Sequence, residues 1–411
     1  MPSLEAGPRD VSASKLNGMD AYLYAAVRTP FGRYRGGLSG IRTDDLAALP
    51  IRELLARVPA LDPAQIDDVY FGNTNGAGEE NRNVARMAGL LAGLPTTVPG
   101  VTINRLCGSG GEAIIQAARA VAVGEQRLVL AGGMEGMSRA PYVIPRPTEG
   151  LPRSMELHQT AVGWRIVNPK MPAEWTTPLG RCAEAVAQGY GIGREAMDAY
   201  AVRSHALAHE AWEKGLHEDY VMPIDVGATA AVTRDENIRP DSSMESLAML
   251  KPAFSPDGPS TAGNSSPIND GAIAALLGPA VVGAELGLES IGRIVASTTV
   301  GRDPQEFSIA PVWAIEKLLA RTDKSFDDIA VWEINEAFSA MVLSVLHDLP
   351  AIDQDKVNLH GGAIAIGHPL GASAPRVIVD ACRELRRRGG GLAVAAACIG
   401  VGQGTAVLLE V

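Results

Sequence analysis

Short apolar runs alternate with helix-period segments from about Ala21 onward. "AYLYAAV" (21–27), "DDVYFG" (67–72), "VTIN" (101–104) and "RLVLAGG" (127–133) have the length and residue types of strands. Between them, "DDLAALPIRELLARV" (44–58), "NVARMAGLLAGL" (83–94) and "GEAIIQAARAVAVG" (111–124) repeat their apolar positions with a helical period. This alternation predicts a mainly parallel sheet covered by helices.

The texture changes after Pro141. Residues 138–267 hold many prolines, turn clusters and three tryptophans (Trp164, Trp175 and Trp212), with helical patterns at 183–191 and 195–215. This reads as an inserted subdomain. The regular pattern resumes near Asn269 and repeats the order of the first part. "GRIVASTTVG" (292–301) answers the opening strand, and "DIAVWEINEAF" (328–338) answers "DDVYFGNTN". Residues 357–390 answer the strand-turn-helix around Cys107, and "GLAVAAACIG" (391–400) answers "RLVLAGG". Two matched α/β halves imply a stacked-sheet architecture with a site at their junction.

Composition narrows the function classes. A net charge of −11 argues against non-specific nucleic-acid binding, although an anionic small ligand needs only a local basic patch. Four cysteines in 411 residues are no disulfide framework, and a reducing, cytoplasmic setting fits. No CxxC pair suggests a metal. No apolar run approaches the ~18 residues of a membrane helix. Residues 1–18 are polar and mixed in charge, which predicts a disordered tail rather than a signal peptide.

Four small-residue turns hold candidate chemistry. In "NRLCGSGGEAI" (104–114), Cys107 lies in a glycine turn that enters a helix. The helix N-terminus would lower a thiol's pKa, and a buried inert cysteine is the competing reading. In "GGAIAIGHPLGAS" (361–373), small and apolar residues surround His368, which suits a rigidly held base or a structural histidine. In "CIGVGQG" (398–404), Cys398 enters a turn whose glycines offer backbone N–H groups to an oxyanion. In "NEAF" (335–338), Asn335 is a helix N-cap or a holder of water at a reacting oxygen. Their joint occurrence in a duplicated chain is more specific than any one of them.

Together with "VRTPFGRYRGGL" (27–38), "GGMEGMSRAPY" (132–142) and "TAGNSSPINDGA" (261–272), these turns resemble the thiolase family over residues 20–411. The resemblance implies a five-layer α/β/α/β/α fold from two duplicated α/β halves. The N-terminal half would be 19–137 and 268–289, the loop domain 138–267 and the C-terminal half 290–411. It implies reversible thiolysis of 3-oxoacyl-CoA, or the reverse condensation, through an acyl-cysteine. Cys107 resembles the nucleophile, His368 its base, and Cys398 the acid/base for the acetyl α-carbon. Asn335 resembles the residue that fixes a water beside His368. The backbone N–H groups of Cys107 and Gly400 would form a second oxyanion site. Arg239, Ser246, Phe254 and Ser266 resemble the coenzyme A contacts. No permanent cofactor is implied: coenzyme A and acetyl-CoA are substrates, and the partner is a second copy, in a homodimer or homotetramer.

Several positions depart from the family pattern. His360 stands in "HGGA", Pro375 in "GASAPR", Arg181 and Cys182 in "LGRCAE", and Phe307 in "FSIAP". Leu179 and Phe307 fall in segments by the acyl pocket. "NRNVARMAGLLAGLP" (81–95), "GWRIVNPKM" (163–171) and the valine of "CIGVGQG" resemble the 3-oxoadipyl-CoA subgroup. Two other readings compete: a catalytically impaired acyl-CoA binding protein, and a zinc site from Cys107, Cys398, His360 and His368.

Overall fold

A computed structural model describes residues 20–227 and 230–411. The expected tail at 1–18 lies outside the described residues. Twelve strands form: β1 (Ala21–Arg28), β2 (Gly32–Arg33), β3 (Asp68–Gly72), β4 (Val101–Ile103), β5 (Val129–Gly136), β6 (Tyr142–Val143), β7 (His158–Gln159), β8 (Asn269–Gly278), β9 (Gly292–Gly301), β10 (Ile329–Ile334), β11 (Leu392–Ile399) and β12 (Gln403–Glu410). The helices are α1 (Thr43–Arg57), α2 (Val84–Leu91), α3 (Ser109–Ala122), α4 (Leu179–Gly189), α5 (Arg194–Glu213), α6 (Met244–Ala248), α7 (Ala280–Leu286), α8 (Ala310–Thr322), α9 (Ser339–Asp348), α10 (Ala363–Ile366) and α11 (Leu370–Arg388).

The duplication is explicit in the ladders. In the first half β3 runs parallel to β4 and β5, β5 antiparallel to β8, and β8 antiparallel to β1. In the second, β10 runs parallel to β11, β11 antiparallel to β12, and β12 antiparallel to β9. Even β4 has a counterpart, a single parallel bridge between Trp332 and Val357. The halves meet where β1 pairs with β9 at Ala21–Leu23, so one hydrogen-bonded path links both sheets.

Helices α3 and α11 lie between the two sheets, α1 and α2 cover the outer face of the first, and α8 covers that of the second. That gives five layers. Apolar side chains on both faces of the central strands explain why the middle layer is fully enclosed. β5 and β8 are buried along their whole length. Ile114, Val121, Val377, Ile378 and Leu385 of the middle helices pack with Val129, Leu277, Ala395 and Val407 of the strands. Pro375 sits in the second turn of α11 rather than at its first residue. The Gly371 carbonyl it leaves without a helical N–H lies against Gly110 of α3.

The N-termini of α3 and α11 meet there. A Cβ on Gly110 would collide with the Gly371 carbonyl and the Pro375 ring. Glycine is therefore required so that the two helix N-termini can touch. Residues 138–267 hold β6, β7 and α4–α6.

Candidate active site

The Cys107 turn is built locally. Ser109 Oγ accepts the Arg105 N–H at 2.9 Å and donates to the Leu106 carbonyl at 2.6 Å, while Asn104 Oδ1 accepts the Leu106 N–H at 2.9 Å. These bonds hold Leu106 at φ +47°, a left-handed conformation that costs a non-glycine residue about 1–3 kcal/mol. The strain aims Cys107 at the β11–β12 turn. Its thiol is buried beside its own backbone N–H and that of Gly400, both of which favour the thiolate.

The sequence led us to expect a thiol pKa lowered by the helix N-terminus. The structure corrects this: burial pushes Cys107 up to about 11, outweighing the two N–H groups. The resting residue is a thiol that needs a base.

His368 is the candidate base. Ser373 Oγ donates to the Pro369 carbonyl at 2.9 Å, so it must accept from His368 Nδ1 at 2.6 Å. The network therefore puts the proton on Nδ1 and leaves Nε2 a bare lone pair. Nε2 is buried with no hydrogen-bond partner among the described residues. Burial, then the nearby Arg376 charge, lowers the ring's pKa to about 4, so it is neutral at physiological pH. Asn269, from β8 of the other half, fixes the backbone by accepting the His368 N–H at 2.9 Å.

Asn335 is not an N-cap. It follows β10, α9 starts only at Ser339, and both atoms of its buried amide lack partners among the described residues. Its backbone is fixed by the Ala396 carbonyl at 2.9 Å. Unpaired buried polar atoms are rare in native structures and point to a missing ligand or water. Cys398, at the end of β11, is fully buried, and burial together with the Cys107 sulfur raises its pKa well above the ordinary thiol range. The turns also pack on one another, since a Cβ on Gly108 would meet Ile399.

Glu135 was inside a quoted motif but was not singled out. It is a buried acid in a strand of otherwise small and apolar residues, which was the available signal. Its carboxylate accepts the N–H groups of Thr74 (3.0 Å), Asn75 (3.1 Å) and Gly371 (3.0 Å), and the Asn73 amide at 3.2 Å. Burial still pushes it up to about 7. It joins the 73–75 loop to the start of α11. Thr74 in turn donates to the Leu106 carbonyl at 3.1 Å and accepts from Asn104 at 2.8 Å.

The four expected coenzyme A contacts fall in two places. Arg239 and Ser246 line a cavity of about 240 Å³ with His205, Asn237, Ser242 and Leu250. The Ser246 hydroxyl is engaged in the α6 capping box with Ser243. Phe254 and Ser266 lie elsewhere, on the Asn335 loop: Phe254 packs edge-on against Phe338 at 5.7 Å, and the Ser266 N–H donates to the Ala337 carbonyl at 3.0 Å. His360 does not join His368; its Nε2 pairs with Glu384 at 2.7 Å. Among the described residues, no three His, Cys, Asp or Glu side chains are grouped to hold a metal. Cys182 is buried in α4, and Phe307 is buried with its ring edge-on to Phe338.

The candidate site offers a thiol with the Gly400 N–H beside it, a second thiol near the first, a neutral histidine with a bare Nε2, and an amide without a partner among the described residues. It is suited to acyl transfer between thiols with proton transfer at carbon. Comparison with known proteins agrees. The thiolase N-terminal domain profile matches residues 21–280, and the thiolase C-terminal domain profile matches 288–411. A beta-ketoadipyl-CoA thiolase of Acinetobacter baylyi is 46% identical over 396 residues, spanning 95% of this chain and 99% of that protein. A 3-oxoadipyl-CoA/3-oxo-5,6-dehydrosuberyl-CoA thiolase of Escherichia coli K12 is 46% identical over 397 residues, with the same coverage of both. The human mitochondrial 3-ketoacyl-CoA thiolase in complex with CoA superposes with a TM-score of 0.88 at 36% identity, covering 95% of this chain and 98% of that one.

Proposed function

The chain belongs to the thiolase family, and we propose that it cleaves 3-oxoadipyl-CoA with coenzyme A to give succinyl-CoA and acetyl-CoA. Thiolases carry out CoA-dependent thiolysis of 3-oxoacyl-CoA and hold coenzyme A as a substrate, not as a permanent cofactor. The observation that supports our residue assignment is the His368 tautomer, which leaves Nε2 bare and buried, together with the buried Asn335 amide that has no partner among the described residues.

His368 Nε2 takes the Cys107 proton, and the sulfur attacks C3 of the 3-oxoacyl chain. The oxyanion sits against the N–H groups of Cys107 and Gly400. The C2–C3 bond then breaks. The electron pair leaves on the acetyl α-carbon, Cys398 protonates it, and acetyl-CoA departs. His368 and a water held by Asn335 stabilise the enolate oxygen in this step. Coenzyme A enters, gives its thiol proton to Cys398, and attacks the succinyl-cysteine. Succinyl-CoA leaves and His368 returns the proton to Cys107. Each oxyanion donor is worth about 10²–10³ in rate. The burial that raises the Cys107 pKa keeps the resting thiol intact until substrate and base act together.

The 138–267 segment serves as the coenzyme A domain. Arg239 sits at the nucleotide end of the cavity, and Phe254 and Ser266 line the path toward Asn335. No described helix is long and apolar enough to cross a membrane. The enzyme works in the cytoplasm as a homodimer or homotetramer in acyl-chain degradation. The open edge of β4, with Val101 exposed, supports a second copy extending the sheet.

Thiolysis of acetoacetyl-CoA, a medium-chain 3-oxoacyl-CoA and 3-oxoadipyl-CoA tests the reading. The highest kcat/KM should fall on 3-oxoadipyl-CoA. A clear preference for either of the other two contradicts the substrate assignment.

A further inference from the structure

The wall beside the Cys107–Gly400 pair has two chemical parts. The first is apolar. A Cβ on Gly400 would lie 3.2 Å from Leu106 Cδ1, 3.4 Å from Trp164 Cη2 and 3.5 Å from Leu179 Cδ1. Those three side chains face the place where an acyl group on Cys107 begins. The Trp164 ring is pinned by Nε1 donating to the Thr177 carbonyl at 3.4 Å.

The second part is cationic and follows directly in the chain. Arg165 is half-buried, and among the described residues no carboxylate pairs with it. This is unusual in a chain with 47 acidic against 36 basic residues. Arg105, on the Cys107 turn itself, is by contrast committed to Glu112 at 3.0 Å and Gln403 at 3.2 Å.

Arg165 is also held in place. One guanidinium nitrogen donates to Asn75 Oδ1 at 3.1 Å. The Asn75 amide has only one workable orientation, because Thr160 Oγ1 donates to the Pro141 carbonyl at 2.6 Å and so accepts from Asn75 Nδ2 at 3.0 Å. The Asn75 backbone is tied to Glu135 at 3.1 Å, beside Thr74, which holds the Leu106 carbonyl. The guanidinium is thus tethered, by one hydrogen bond among the described residues, to the loop that carries the Cys107 turn. An arginine fixed on one side and open on the other is a preorganised carboxylate receptor.

We propose that Arg165 binds the terminal carboxylate of a 3-oxo dicarboxylic acyl chain, with Leu106, Trp164 and Leu179 taking its methylenes and Asn75 acting as the positioning residue. This deepens, and rests on, the 3-oxoadipyl-CoA reading above. The carboxylate of a succinyl group on Cys107 lies two methylenes beyond the thioester carbon, so an apolar stretch followed by a cation matches its chemistry. A neutral chain of the same length fills the apolar part and leaves the guanidinium to water.

The test compares thiolysis of 3-oxoadipyl-CoA with that of 3-oxohexanoyl-CoA, which has the same six carbons and no terminal carboxylate. The ratio of the two kcat/KM values is measured in wild type, Arg165→Ala, Arg165→Lys and Asn75→Ala. We expect the ratio to fall about a hundredfold in Arg165→Ala, mainly through KM for 3-oxoadipyl-CoA. Arg165→Lys should recover part of it, and Asn75→Ala should lose less than Arg165→Ala. Equal losses on both substrates in Arg165→Ala, or an unchanged ratio, overturn the role of Arg165 and leave the substrate reading standing. A wild type that cleaves 3-oxohexanoyl-CoA but not 3-oxoadipyl-CoA overturns both.

Discussion

Glu135→Gln keeps the volume of the side chain and changes only what its end can accept. Glu135 is 2% exposed and receives four N–H groups, two at each oxygen. Glutamine offers one oxygen and one NH₂. With the NH₂ toward Thr74 and Gly371, two buried backbone N–H groups lose their acceptor. With the NH₂ toward Asn75 and Asn73, the Asn73 amide can rotate its unpaired Oδ1 onto the new donor. The Asn75 N–H is then stranded, together with the Asn73 NH₂. Either way about two buried donors go unpaired, at about 1–3 kcal/mol each, so the loss should be about 2–4 kcal/mol. Urea denaturation followed by tryptophan fluorescence reads it as a lower midpoint. Turnover should fall as well, because Thr74 holds the Leu106 carbonyl and the Asn104 side chain. A variant with wild-type midpoint and wild-type kcat would refute the claim that Glu135 fixes the Cys107 turn.

Other outcomes follow from the same geometry. Asn335→Ala removes an amide with no protein partner, so the denaturation midpoint should barely move while kcat drops about 10²–10³-fold; equal damage to stability would mean the amide is structural. Gly110→Ala drives a methyl into the Gly371 carbonyl and the Pro375 ring, and should yield little folded protein, whereas Gly40→Ala, with open space around it, should be neutral; expression and thermal melting compare the two. His205, His217 and His368 are each lowered from 6.5 to about 4, with burial as the first cause. Below 6.5 the unfolded chain binds protons at these rings that the folded chain refuses, so they should cost stability as pH drops from about 6.5 to about 4, against an opposite contribution from Glu135, whose raised pKa lets the folded chain bind a proton first. NMR titration of the histidine rings separates the two; rings that protonate near 6.5 in the folded protein would contradict the buried neutral state.

Strand and helix positions were legible because the apolar periods are strong. β9 coincides with "GRIVASTTVG", and α3 and α11 form where Cys107 and His368 enter helical patterns. The halves could be aligned from element order alone, and the ladders repeat that order. Four features were not legible, each for a physical reason. The alternation of strands and helices predicted a mainly parallel sheet, but only β3–β4, β3–β5 and β10–β11 are parallel and the other six pairings of the large sheet are antiparallel, because β8 and β12 return beside β5 and β11 and local periodicity does not encode strand direction. The Cys107 pKa depends on burial, which the tertiary structure sets and a local glycine turn does not reveal. Asn335 resembles an N-cap because asparagine before an apolar run has that signature, yet the chain runs on to Ser339 before the helix begins. Glu135 and Asn269 act across the two halves of the chain, on Gly371 and His368, and no local pattern encodes a partner about a hundred residues or more away.

The central claim is that Cys107 carries the acyl group and His368 Nε2 activates it. Intact-mass analysis after incubation with acetyl-CoA tests this most directly. Wild type should gain one acetyl group, located by peptide mapping on Cys107. Cys107→Ala should gain none, and His368→Ala should acylate far more slowly. An undiminished adduct in Cys107→Ala, or no adduct on wild type, would contradict the account.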